Sequence, residues 1–499
     1  MDRKKILWLL GIVYAVLTLA ILFHHEPWED ELHAWTLARE LGFFQIIYWM
    51  RYDGHFALWH FILRPFAAAG APVFALNLIA WGLCTAGICL FIRYAKLPLW
   101  SKIFFVLSCP ILYYFPVVAR PYALLPLALG WLTALYPVRL KHPFGYSFAI
   151  LFLLYIHSYM AGLAGMLGLF FTWDLMYHTR HMPWKLRWKK ILIPPFLMVL
   201  FALGAFLMVL PAVGESSVVP RTFQEFFGKE IFREMGNVIC ELPLKRQITL
   251  NWGMNPALSG LFYWAALLGG LAVLWKTRRR MVWIWLGGNL WMILMAVLVY
   301  PMLMHRGYMP FLLLVFCLSQ IPDRKTGKEL NRKMMPLAGI CISILSLMTF
   351  PDSWIMVRND IKYPFSNQEK MAAYIEQKVP RNARIITFPA DIISSTLTAY
   401  LPDHQLIHPQ TNQRYRVYKR KGQIPAMLND AVLHYYAQGS KQEFYLMFHV
   451  EMLRFYQITQ QKLARGFHDF KVIPVYMTEP VSFFPAQEDY CLFKIIPLK

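Results

Sequence analysis

The feature that most constrains this chain is a succession of apolar runs, each close to the length of a bilayer, separated by short basic segments. A helix needs about 20 predominantly apolar residues to cross the hydrocarbon core. Runs of that order or slightly shorter occur at 6–23, 73–92, 103–118, 122–138, 145–159, 162–176, 191–210, 258–275, 281–300, 308–321 and 336–350. Only 16% of the residues are charged and 58% are hydrophobic, whereas soluble domains carry about a quarter charged residues. A soluble bundle of buried helices is the alternative, and so many runs of this length argue against it. The expectation is an α-helical polytopic membrane protein of about eleven spans.

The charges between the runs set an orientation. Arg93, Lys96 and Lys102, then Arg139 and Lys141, then 180–190, 276–280 and 324–333 are basic, and they fall in alternate loops. Cytoplasmic loops carry the excess of Lys and Arg, so the N-terminus, with Arg3, Lys4 and Lys5, is expected in the cytoplasm as an uncleaved anchor. Everything after Phe350 is then outside a plasma (cell) membrane. The net charge of +22 thus reflects topology rather than nucleic acid, for which no motif exists. There is no CxxC; Cys240 and Cys491 both fall outside the spans, and sequence does not decide whether they pair.

Two domains follow: a membrane domain at 1–351, with outer loops at 24–70 and 212–257, and an extracytoplasmic α/β domain at 352–499. The first loop reads as two membrane-lying helices, 30–41 and 56–69, around the segment RYDGHF. In the tail, helices are expected at 368–378, 392–401, 425–436 and 453–464. Strands are expected at 384–388, 405–408, 443–449, 470–476 and 490–496. Such alternation implies a largely parallel sheet. No GxGxxG or Walker A sequence is present, so nucleotide binding is not indicated.

Polar exceptions collect at the outward ends of spans. Glu29, Asp30, Asp53 and His55 come from the first loop, Arg120 and Tyr122 from ARPYAL, His157 and Tyr159 from YIHSYM, and His305 and Arg306 from HRGYMP. Acids in a first helical turn also oppose the helix dipole, Arg120 could simply snorkel, and His157 could be a packing histidine. Ionisable groups at a membrane boundary are nonetheless functional candidates by default. A carboxylate there can serve as general base toward a hydroxyl, and Arg and His can hold a phosphate and the charge growing on it. The His24–His25–Glu26 run beside Glu29 and Asp30 is compatible with a divalent metal ion, but its spacing fits no specific ligand pattern. No other cofactor is indicated.

WEDELHAW, DGHFALW, ARPYAL and HRGYMP together resemble the membrane glycosyltransferases of the GT-C fold. The resemblance is to the bacterial family similar to protein O-mannosyltransferases and the lipid A aminoarabinose transferase (glycosyltransferase family 39-like). It covers residues 1–350 and the layout of the whole chain. It implies a transferase that moves a sugar, with inversion, from a polyprenyl-phosphate donor to an acceptor hydroxyl on the outer face. By this resemblance Asp30 is the catalytic base, with Asp53 and Glu29 as further acids. Arg120, Arg306 and His305 are donor-phosphate contacts, and His55, Tyr122, His157 and Tyr159 line the substrate cavity. Many relatives carry His-Pro-Pro-Leu where this chain has His55, Phe56, Ala57 and Leu58. The acceptor could be a lipid, a protein or a cell-wall polymer of the cell envelope. The rival class is a transporter or flippase of lipid-linked sugars, but no two-fold repeat of the kind transporters show is present.

Overall fold

The computed structural model describes residues 2–210, 256–299, 304–321, 329–388, 395–417, 428–449, 467–479 and 488–498. The expected loop 212–257, almost entirely, the expected helix 453–464, and Cys240 lie outside them. Among the described residues, eight helices are long and apolar enough to cross a membrane, and two shorter apolar ones accompany them, Pro143–Leu154 and Arg306–Ser319. The chain is a polytopic helical membrane protein with a small C-terminal sheet domain.

In chain order, α1 spans Arg3–Leu22, and three short helices follow: α2 Glu29–Glu40, α3 Phe43–Asp53 and α4 Leu58–Ala68. The first loop therefore holds three helices, not two. The missed one, α3, ends where Gly54 turns left-handed (φ +67°), a conformation that costs glycine no Cβ clash. Then come α5 Phe74–Tyr94, α6 Leu99–Val106, α7 Leu125–Leu135, α8 Pro143–Leu154, α9 Ala161–His178 and α10 Trp184–Met208. After the gap run α11 Pro256–Thr277, α12 Arg279–Leu298, α13 Met309–Ser319 and α14 Glu329–Lys362.

The expected span 103–118 is not one helix. It is α6, a wide π-type turn at Pro110–Tyr114, and an irregular approach to Arg120. The α-helix breaks at Leu107–Ser108, and Pro110, which offers no N–H and crowds the carbonyl four residues back, disfavours its resumption in α geometry. The last span also departs from expectation: α14 continues past Phe350 and Pro351 to Lys362, through the boundary expected between the domains.

Helix pairs in a bilayer gain little from the hydrophobic effect and rely on close backbone packing over small residues. That device is visible where α5 crosses α7. A Cβ on Gly87 would lie 2.2 Å from the Leu127 nitrogen, and one on Gly130 would lie 2.3 Å from the Gly87 carbonyl oxygen. The crossing fixes α7, and through it the short 3-10 turn Pro121–Leu124 that follows Arg120.

The C-terminal domain is a five-stranded sheet of order β2-β1-β3-β5-β4, with β1 Arg384–Phe388, β2 Gln405–Ile407, β3 Phe444–His449, β4 Phe470–Met477 and β5 Tyr490–Pro497. It is mixed rather than largely parallel: β2, β1 and β3 run parallel, while β5 and β4 are antiparallel. Helix α15, Gln368–Lys378, packs one face through Met371 and Ile375, and α16, Asp430–Ala437, packs the other through Leu433 and Tyr436. Central β3 is accordingly buried along its whole length. Of the expected helix 392–401, the described part begins at Ser395, is α-helical at Ser395 and Thr396, and continues as a 3-10 turn at Leu397–Ala399. Cys491 is buried in β5.

Candidate functional site

The site is built at the N-terminal turn of α2. Three consecutive acids occupy that turn, and successive helical residues point about 100° apart, so their environments diverge. Glu29 directs its backbone N–H to the Glu488 carboxylate at 2.7 Å and is not among the cleft-lining residues. Glu31 is fully buried. Its carboxylate accepts hydrogen bonds from the Ala119 N–H (2.5 Å), the Asn77 amide (3.2 Å), the Trp28 N–H (3.2 Å) and the His25 ring (3.0 Å). Asp30, between them, faces a small polar cleft.

That cleft is lined by Asp30, His33, Asp53, His55, Arg120 and His157, among others, and encloses about 50 Å³. Asp30 pairs with Arg120 at 2.8 Å, both side chains largely but not fully buried. Arg120 is extended because Pro121 follows it, and the residue before a proline is steered away from the helical region. Its guanidinium lies 5.6 Å from the ring centres of both Trp28 and Tyr122. Arg306 reaches the same place from the turn Met304–Tyr308 and donates from Nε to the Tyr122 hydroxyl at 3.0 Å. Burial disfavours its charge, but the Tyr122 and Tyr159 oxygens and Asp30 outweigh this and raise its pKa.

His157 forms the back wall. Its ring stacks on Tyr159 at 5.0 Å and lies 5.1 Å from Tyr122 and 5.3 Å from His55. Its Nδ1 accepts the Tyr159 N–H at 3.2 Å, so that nitrogen carries no proton. His55 is pushed down to about 3 by burial and by the guanidiniums of Arg120 and Arg306, and is neutral at physiological pH. Asp53, at the end of α3, takes a bond from His33 Nε2 at 3.1 Å. Burial opposes its ionisation, yet His33, His55 and His60 hold its pKa below the usual value.

Thus Asp30, Asp53, His55, Arg120, Tyr122 and His157 converge, with Arg306 and Tyr159 behind them. The His305 side chain lies outside the described residues. Sequence reading missed three lining residues, His33, Trp59 and His60. His33 was accessible to it, because it stands three residues after Asp30 and shares its helix face. Of the His24–Glu26 run, His25 pairs with Glu31 and Asp360 at 3.0 Å each, and among the described residues no group of three His, Cys, Asp or Glu is gathered about a common point.

A second, apolar cavity of about 790 Å³ lies among α8, α9, α10 and α12. Its wall includes Gly54, Phe56 and Ser158, the chain neighbours of His55 and His157. The polar cleft and the apolar groove therefore adjoin at those two histidines.

No family model matches this chain, and no curated protein matches it. Among solved structures it is similar to ArnT from Cupriavidus metallidurans in the apo state, with TM-score 0.55 and 13% identity, over 99% of this chain and 98% of that chain. The likeness is one of fold, and it takes in both the membrane body and the C-terminal domain.

Proposed function

We propose that the chain is a membrane glycosyltransferase that uses a polyprenyl-phosphate sugar as donor and works on the outer face of the membrane. The observation that carries this reading is the junction of a carboxylate–guanidinium cleft with an apolar cavity of about 790 Å³. A lipid phosphate needs both: an apolar channel for its tail and fixed positive charge for its head group. The fold shared with ArnT and the motif resemblance to the aminoarabinose-transferase family support the same class.

In this reading the tail lies in the groove and the phosphate meets Arg120 and Arg306. Planar guanidinium forks bond phosphate oxygens in pairs and stay charged. Arg120 pairs with Asp30 at 2.8 Å. A donor phosphate competes for that fork and leaves Asp30 available as a proton acceptor. The acceptor hydroxyl then attacks the sugar carbon opposite the phosphate. Its oxygen forms the new glycosidic bond, its proton goes to Asp30, and the sugar–phosphate bond breaks with its electron pair on the phosphate oxygen. The two arginines stabilise that growing charge, and inversion follows from attack opposite the leaving group. The acceptor is a hydroxyl of a lipid, protein or wall polymer. No specific observation favours the transporter alternative, and no step here calls on a metal ion.

The test is Asp30→Asn in protein reconstituted with a purified polyprenyl-phosphate sugar. Transfer should fall by about 10²–10⁴-fold, the usual contribution of a positioned base, while insertion and donor binding persist. Near-normal turnover would overturn the base assignment.

A further inference from the structure

We infer that the C-terminal domain is a clamp on α2, and that Glu488 is a positioning residue for the cleft although it never enters it. Among the described residues, the cleft is lined by side chains between Asp30 and His157 and by none from the C-terminal domain. What it holds is the helix that carries Asp30, and it holds both ends.

At the N-terminal end, the buried Glu488 carboxylate accepts the Glu29 N–H at 2.7 Å, the Ser366 hydroxyl at 2.5 Å and the Gln368 amide at 3.1 Å. The first N–H groups of a helix have no partner within it, and they carry the positive end of its dipole. A carboxyl oxygen of Glu488, fixed by Ser366 and Gln368, satisfies the first of these demands one residue before Asp30. At the other end, Arg39 donates to the carbonyls of Thr398 at 2.6 Å and Ala399 at 3.0 Å. Glu40 pairs with Arg416 at 2.9 Å. Between these anchors, Ala399 joins the core of the membrane body, Tyr400 packs against the cores of both parts, and Val417 packs on the patch that contains Leu37 and Leu41.

The inner side of α2 is fixed separately. Glu31 holds the Ala119 N–H, and so the segment leading to Arg120. One turn of helix is therefore set from two sides: the membrane body places Arg120 against it, and the C-terminal domain sets its axis. A binding constellation tolerates only about 0.5 Å of misplacement. Releasing the Glu488 anchor should let Asp30 shift relative to Arg120 without removing any group from the cleft.

The functional consequence rests on the donor reading above, and the experiment separates the two. Full-length protein, Glu488→Ala and Glu488→Gln are compared in nanodiscs by amide hydrogen exchange, with farnesyl phosphate as the binding probe. In Glu488→Ala, exchange in the peptide covering 26–34 should accelerate about tenfold, as expected for losing a buried hydrogen bond. Farnesyl phosphate should bind several-fold more weakly. Gln keeps an oxygen acceptor for the Glu29 N–H and should restore most of both. Unchanged exchange at 26–34 overturns the clamp. So does acceleration spread evenly over the C-terminal domain with no excess at 26–34, which is the signature of a merely structural residue. Unaltered probe binding despite local acceleration overturns the positioning role. Arg120→Ala in the Glu488 background serves as the check on the donor reading. If it leaves probe binding unchanged, that reading fails, while the exchange pattern still decides the clamp.

Discussion

Two of the carboxylate–arginine clusters among the described residues have the same ingredients in opposite states. In one, Asp30 meets Arg120, with Arg306 nearby, at the edge of a cleft. In the other, Asp174 near the end of α9 is met by Arg139, which places Nε at 3.2 Å and Nη2 at 2.6 Å on one oxygen, and by Arg280 on the other. Arg139 is further held over the Tyr136 ring at 4.1 Å. Asp174 is buried and both of its oxygens are taken, so that cluster is closed. The Asp30 pair adjoins a cavity and a groove into which a ligand can come. An acid beside an arginine at a membrane boundary does not by itself mark a site; room beside the pair does.

The largest effect that would sharpen this contrast is on stability. Asp174→Asn leaves two guanidiniums facing a neutral amide, and breaking a buried ion pair by removing one partner costs roughly 3–5 kcal/mol. The partial exposure of Arg280 puts the expected loss at the low end of that range. Asp30→Asn should cost far less stability and nearly all of the transfer activity. Thermal unfolding of the two variants in the same detergent checks this. A larger stability loss for Asp30→Asn than for Asp174→Asn would reverse the assignment of which cluster is structural.

Next in size is the arginine to which the proposed function gives the donor phosphate. Arg306→Lys keeps the charge but loses the planar fork, so polyprenyl monophosphate should bind about tenfold more weakly. Arg139→Lys should leave that binding unchanged and lower the melting temperature. Equal behaviour of the two variants in a binding titration would remove the distinction.

The sequence displayed one half of this contrast. Runs of apolar residues and alternating basic loops made the polytopic architecture legible, because both reflect the bilayer itself. The convergence of Asp30, Asp53, His55, Arg120, Tyr122 and His157 was legible as a set of polar residues at one end of the spans. The Asp174 cluster was not, since its partners lie 35 and 106 residues away and its acid sits in an apolar run. The helix α3 was hidden because its apolar run, FFQIIYWM, is short and Gly42 reads as the close of the helix before it. The broken span at Pro110 was read as continuous because hydropathy averages over a proline that backbone geometry cannot ignore. Mixed sheet pairing was unreadable for a further reason: alternation of helices and strands does not distinguish a final antiparallel pair, β4 with β5, from another crossover.

The smallest expected effect per step concerns how α2 is anchored beneath the cleft. His25 lies between Glu31 and Asp360, and Tyr113 also donates to Asp360 at 2.8 Å. Burial alone would discourage charge on this ring, but the flanking carboxylates win and raise it to about 10, from an ordinary value of 6.5. A raised folded-state pKa contributes stability that is complete below about pH 6.5 and is lost as the pH climbs through about 10. A neutral imidazole has one N–H, so above that pH one of the two buried carboxylates loses its donor. Burial also raises Glu26 to about 7 and Glu488 to about 8, and raised carboxylates likewise lose stability with rising pH. Their window closes near pH 8, while His25 continues beyond it. Between about pH 8 and 9, the wild-type protein should therefore lose up to about 1.4 kcal/mol per pH unit through this one group. His25→Gln, which carries no charge at any pH, should be less stable at pH 7 and show a flatter slope between pH 8 and 9. Melting curves at half-unit intervals decide it: parallel slopes for the two proteins would mean that His25 does not carry its proton in the fold.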